Sequence, residues 1–85
     1  MRQETLLKII GLMRKNIDLG LTISQISKLL KIGYAPAYNH ISEMEKEGII
    51  KVLRIGNSKQ CKLNLENTKT RHLLQELDIK RKEEL

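Results

Sequence analysis

The apolar residues of this chain change their repeat at Gly48, and that change limits the folds open to it. Before Gly48 they recur every three or four positions: Leu6, Ile9, Ile10, Met13 and Ile17 form one stripe, with Leu7 at its edge, and Ala37, Ile41 and Met44 form another. Such spacing lines one face of a helix. After Gly48 the repeat is two, with Cys61, Leu63 and Leu65 alternating with Gln60, Lys62 and Asn64, as in a strand with one dry and one wet face. Helices followed by a short sheet make an α+β chain.

Start and stop signals divide the helical part into three. The first helix is predicted over roughly residues 2–16, with Leu12 outside its stripe, and Asn16, Asp18 and Gly20 break it. Thr22 and Gln25 form a T-x-x-Q capping box, and Leu21 and Ile26 flank it as a hydrophobic staple, so a second helix runs from about Ile23 to Lys31. Its buried residues are expected to be Ile26, Leu29 and Leu30, with Ile32, Gly33 and Tyr34 as a tight turn. Pro36, the only proline, prefers the first turn of a helix and pushes Ala35 out of the helical region. A third helix therefore begins at about Ala35 and runs to Glu47, where Gly48 supplies a left-handed stop. Gly56, Asn57 and Ser58 are turn residues inside a hairpin of 49–65, and an amphipathic helix over 67–85 carries Leu73, Leu74 and Leu77 on one side.

Composition narrows the function. The chain has 85 residues, which suits one small domain, and no apolar run approaches the ~20 residues of a membrane span. No cationic-then-apolar leader is visible either, so the expectation is a cytoplasmic protein. One cysteine, Cys61, excludes a disulfide within the chain, leaving an intersubunit bridge open, and its place on the apolar side of a strand reads as an inert core thiol. His40, His72 and Cys61 lie on three separate elements without the close spacing of a zinc site. With no glycine-rich phosphate loop and no paired carboxylates, no enzyme, metal, cofactor or small-molecule ligand is expected. Two aromatic residues, Tyr34 and Tyr38, count against a deep cofactor pocket and against a base-stacking platform for single strands.

Charge points elsewhere. Sixteen basic residues face ten acidic ones for a net charge of +6, and residues 49–65 hold Lys51, Arg54, Lys59 and Lys62 with no acid among them. That is an electrostatic footprint for a polyanion, unless it is only a solvated lysine face.

Two helices joined by a short turn and followed by a basic hairpin resemble the winged helix-turn-helix superfamily, of the kind found in MarR-like and ArsR-like transcriptional regulators. The resemblance covers residues 21–65 and is carried by LTISQISKLLKIGYAPAYNHISEMEKEGII, in which Leu21, Thr22, Ile26, Leu30, Ile32, Ile41, Met44, Gly48, Ile49 and Ile50 match the pattern of cap, core and strand entry. Two positions depart from it: Lys31 stands where the turn often has glycine, and Gly33 where a serine or threonine often caps the recognition helix. With the length and the periodicity of the last segment, the resemblance gives one domain over 1–85, with a helix-turn-helix at 22–47, a wing at 49–65 and an additional C-terminal helix on a three-helix core. It also implies a recognition helix in the major groove, with the preceding helix across the backbone.

On that helix Ala35, Asn39, Ser42 and Lys46 lie opposite the buried stripe, with Tyr38 at the border. Asn39 is the leading base reader, since an amide pairs bidentately with adenine, against the plainer reading of a solvated side chain. Ala35 suits a thymine methyl, Ser42 either groove edge, and the Tyr38 hydroxyl a phosphate. Tyr34 either covers the core edge or meets a phosphate. Residues 32–42 contain no lysine or arginine, and Glu43, Glu45 and Glu47 add negative charge behind them. Affinity must then come from Lys28 and Lys31 and from the wing, where Arg54, Lys59 and Lys62 surround Asn57 and Ser58. Without an arginine to pair guanine, the expected partner is A·T-rich duplex DNA, with Arg54 or Lys59 in its narrow minor groove. A homodimer is expected, and Leu12, Leu73, Leu74 and Leu77 are its candidate surface or else close the chain's own core. The alternative is a winged-helix module that binds a protein with an acidic surface.

Overall fold

A computed structural model describes residues 3–84. Its elements are α1 (Gln3–Lys15), α2 (Ile23–Leu30), α3 (Tyr34–Lys46), β1 (Ile50–Ile55), β2 (Ser58–Leu63) and α4 (Thr68–Glu84). The two strands form one antiparallel hairpin after the third helix, so the expected α+β winged helix with an added C-terminal helix is the fold observed. The core gathers Ile9, Ile10 and Met13 of α1, Ile26 of α2, and Ala37, Ile41 and Met44 of α3. Ile49, Ile50 and Cys61 at the hairpin base complete it, and none of the ten is more than 2% exposed. Each large side chain so buried contributes about 1.5–3 kcal/mol by leaving water.

The local signals act through specific bonds. In the capping box Gln25 N donates to Thr22 Oγ1 at 3.1 Å and Thr22 N to Gln25 Oε1 at 2.9 Å. Helix α2 ends at Lys31 with φ 57° and ψ 43°, where Ile32 N donates to Ser27 O at 3.1 Å and Lys31 N to Lys28 O at 3.3 Å. This is the left-handed cap that glycine usually fills, and it costs a lysine about 1–2 kcal/mol. Ser27 Oγ braces the turn by donating to Ile32 O at 2.7 Å. Helix α3 starts at Tyr34, one residue earlier than expected, with Gly33 as an N-cap that makes no side-chain bond. Pro36 fits its first turn because amides there have no intrahelical acceptor, and burial of Ala37, Ile41 and Met44 outweighs the crowding at Ala35.

Five apolar expectations are corrected. Leu29 is 55% exposed, because the buried arc of α2 is set by Ile23 and Ile26 and Leu29 lies about 60° beyond it, and Leu30 is only half-buried. Ile17 is exposed, since Asn16 ends α1 by donating to Met13 O from its amide and to Leu12 O from its side chain. Leu65 is exposed, since the ladder stops at Leu63, where Asn64 N turns away to Ile49 O at 2.9 Å. Leu7 is buried rather than marginal. The hairpin turn also holds two residues, Gly56 and Asn57, because Ser58 pairs with Ile55.

A polar junction seats α4. Asn64 Nδ2 donates to Gly48 O at 3.0 Å, the buried Thr70 hydroxyl donates to Ile49 O at 3.0 Å, and Asn67 Oδ1 caps α4 by accepting from Thr70 N at 3.2 Å. Lys69 pairs with Glu47 beside it. Farther along, α4 lies against α1, where Arg14 meets Asp78 at 2.7 Å and Gln3 donates to Glu76 at 2.6 Å. Leu73 is buried in the core, and Leu12, Leu74 and Leu77 are half-buried against it. No helix among the described residues is long and apolar enough to cross a membrane.

Candidate nucleic-acid interface

Three elements converge on one groove of about 390 Å³, lined by Thr22, Ile23 and Ser24 at the start of α2, Tyr34 and Tyr38 of α3, and Asn57, Ser58 and Lys59 at the hairpin tip. A two-residue bridge holds them together: Leu21 N donates to Cys61 O at 3.0 Å, and Cys61 N to Leu21 O at 2.7 Å. This ties the entry of α2 to the middle of β2. Five candidate residues therefore share one groove: Tyr34, Tyr38, Asn57, Ser58 and Lys59. Thr22, Ile23 and Ser24 were not among them, although the capping box already marked a helix start there. The first amides of such a turn lack intrahelical acceptors, which suits an anion.

Helix α3 presents two surfaces. Ala35, Asn39 and Lys46 are exposed on the side away from Ala37, Ile41 and Met44, while Ser42 is half-buried at the edge of that side. Tyr34 and Tyr38 occupy the flank next to the hairpin, 57% and 50% exposed. Glu43, Glu45 and Glu47 are exposed toward the C-terminal end, so the neutral first turns and the acidic last turns are spatially separate. Lys28 and Lys31 are exposed toward the other end of α2, about 6 and 10 Å along the helix from Ser24 at the groove.

The strand register splits the basic residues of the hairpin into two pairs. Arg54 lies opposite Lys59, and Lys51 opposite Lys62. Alternation puts Arg54 and Lys59 on the face that, nearer the base, buries Ile50, Cys61 and Leu63, and puts Lys51 and Lys62 on the other face with Leu53 and Ile55. Like charges directly opposite destabilise a ladder by tenths of a kcal/mol to about 1 kcal/mol. None of the four takes part in the ion pairs found among the described residues, Arg14–Asp78 and Lys69–Glu47. Of the first pair, Lys59 lines the groove.

Cys61 sits behind this surface, fully buried, and its thiol is pushed up to about 11, first by burial and then by the charge of Glu45. Such a thiol is a packing group rather than a nucleophile. No group of three metal-ligating side chains occurs among the described residues.

A helical pair whose second member has an exposed face, joined to a basic two-stranded wing at its first turns, defines a winged helix-turn-helix protein. The chain belongs to the winged helix-turn-helix DNA-binding family, whose sequence profile matches residues 2–51. The match covers all three helices of the core and the first two residues of β1, so the second strand of the wing and α4 lie beyond it. Among curated proteins none matches the chain.

Proposed function

We propose that this chain is a transcriptional regulator that binds A·T-rich duplex DNA as a homodimer in the cytoplasm, with residues 1–85 acting as one unit. Helix α3 enters the major groove by its first turns, with Ala35, Asn39 and Ser42 toward the bases, and the wing lies on the backbone or in the adjacent minor groove. Lys28, Lys31, Lys62 and the Tyr38 hydroxyl contact phosphates, and Arg54 or Lys59 enters the minor groove. The partner copy docks on the surface that Leu12, Leu74 and Leu77 reach between α1 and α4, with Leu73 beneath them.

The observation that carries this reading is the juxtaposition of Lys59, facing Arg54, with the first turns of α2 and α3 around a single groove. Cations placed opposite each other, beside orphan amides and exposed hydroxyls, favour a polyanion over an apolar partner. The absence of any lysine or arginine from residues 32–42 favours A·T pairs over guanine contacts.

Selection of duplexes from a random pool, with the mass of the protein in solution measured alongside, tests the proposal. The expected outcome is an A·T-rich palindrome bound by a dimer. If each protomer neutralises about three to five phosphates, affinity falls roughly 10³- to 10⁵-fold between 50 and 200 mM salt. Recovery without enrichment would leave a non-specific binder, and no recovery at low salt would favour the protein-interaction module.

A further inference from the structure

Both aromatic residues of the chain line the same groove, and each keeps half or more of its surface exposed there. Tyr34 and Tyr38 are four residues apart, so their rings stand one above the other on α3. Around them are the hydroxyls of Thr22, Ser24 and Ser58, the amide of Asn57 and the ammonium of Lys59, with no acidic side chain in the lining. A ring wall beside hydrogen-bonding groups and one cation suits a flat heteroaromatic ring attached to a phosphate. A volume of about 390 Å³ falls in the range of sites for a single small ligand, about 300–1,000 Å³.

We propose that this groove receives one unpaired nucleobase of the bound DNA, stacked on the tyrosines, with Asn57 and Ser58 at its edge and Lys59 at its phosphate. A base inside a continuous duplex has both faces covered by its neighbours and cannot occupy the site, whereas a bulged base has little pairing left to lose. The two-aromatic composition argued against a platform for long single strands, and one stacking site for one base is compatible with that count. The inference rests on the duplex-binding reading, because α3 and the wing hold the flanking helix.

The chain has no tryptophan, so its intrinsic emission comes from Tyr34 and Tyr38 alone. The test titrates the full chain with a continuous duplex and with the same duplex carrying one bulged nucleotide. The bulged duplex should bind roughly 5- to 100-fold tighter, the range expected for one base stacked on an aromatic side chain, and should quench tyrosine emission more strongly. Tyr38→Phe should keep that preference, and Tyr38→Leu or Tyr34→Leu should bring the ratio of the two affinities toward one. Equal affinities for the two duplexes, or a preference that Tyr38→Phe abolishes as fully as Tyr38→Leu, would overturn the inference, the latter by assigning the contact to the hydroxyl. Binding of the continuous duplex without preference defeats this inference alone, and failure of both duplexes to bind defeats the regulator reading with it.

Discussion

The two ends of the hairpin share one ladder and have opposite surroundings. At the base, Ile50, Cys61 and Leu63 are buried, and the backbone of Cys61 is bonded on its outer edge to Leu21. From Leu53 to Lys59 every residue is exposed, and the ladder there pairs Arg54 with Lys59 and Ile55 with Ser58. The base therefore carries folding energy and aims the wing, while the tip is free to carry binding chemistry at little cost to stability. Changes at the base should appear in unfolding experiments, and changes at the tip in DNA titrations.

Two glycines give the sharpest way to break this division. Gly20 and Gly56 both have positive φ, 74° and 62°. A Cβ on Gly20 would lie 2.7 Å from the carbonyl oxygen of Cys61 and 2.8 Å from Lys62 Cγ, whereas one on Gly56 meets nothing within 4 Å. Gly56→Ala should thus cost only the backbone strain of about 1–2 kcal/mol. Gly20→Ala adds a clash that the Leu21–Cys61 pairing must open to relieve, at about 1 kcal/mol for each lost bond, for a total of about 3 kcal/mol or more. Urea unfolding with an unchanged m-value measures both. Equal costs would mean that the base is no more constrained than the tip.

Alkaline pH tests the base alone. In the folded chain burial raises the Cys61 thiol from 9.0 to about 11. Above about pH 9 the unfolded chain loses this proton while the folded chain keeps it, so the contribution is intact below pH 9 and is lost between about pH 9 and 11. At 1.36 kcal/mol per pH unit the loss reaches about 2–3 kcal/mol. Stability of the wild type relative to Cys61→Ala should fall by that amount across this window. A constant difference would show that the thiol already meets water.

The base was more legible in the sequence than the tip, for a physical reason. Thr22 with Gln25, Pro36, Gly48 and the alternation through Cys61 and Leu63 are local signals, and each acts within a few residues of where it is written. Leu29 and Leu65 misled because periodicity gives a direction without saying how far the neighbouring layer extends. Thr70 and Asn67, which seat α4 on the carbonyl of Ile49 and the end of α3, carry no local mark of those distant partners. At the interface, the charge of the wing could be counted, but its division between two faces depends on register. Register turned on whether Ser58 belonged to the turn or to β2, and a shift of one residue exchanges the faces. That Asn57, Ser58 and Lys59 share a groove with Thr22 and Ser24 likewise depends on the Leu21–Cys61 bridge, a tertiary contact.

The smallest expected effect sharpens the comparison most, because it reverses sign between the two measurements. Arg54 and Lys59 repel each other across the ladder, near a tip where no buried side chain depends on them. Replacing both, Arg54→Thr with Lys59→Thr, should raise stability by about 0.5 kcal/mol, since threonines are good strand neighbours and the repulsion is gone. The same change should lower the salt dependence of duplex binding by about two counterions per chain. A wing that grows more stable as it binds less tightly is the mark of charge retained for a partner. If stability falls as well, the pair contributes to the fold of the hairpin, and the division between base and tip fails at its outer end.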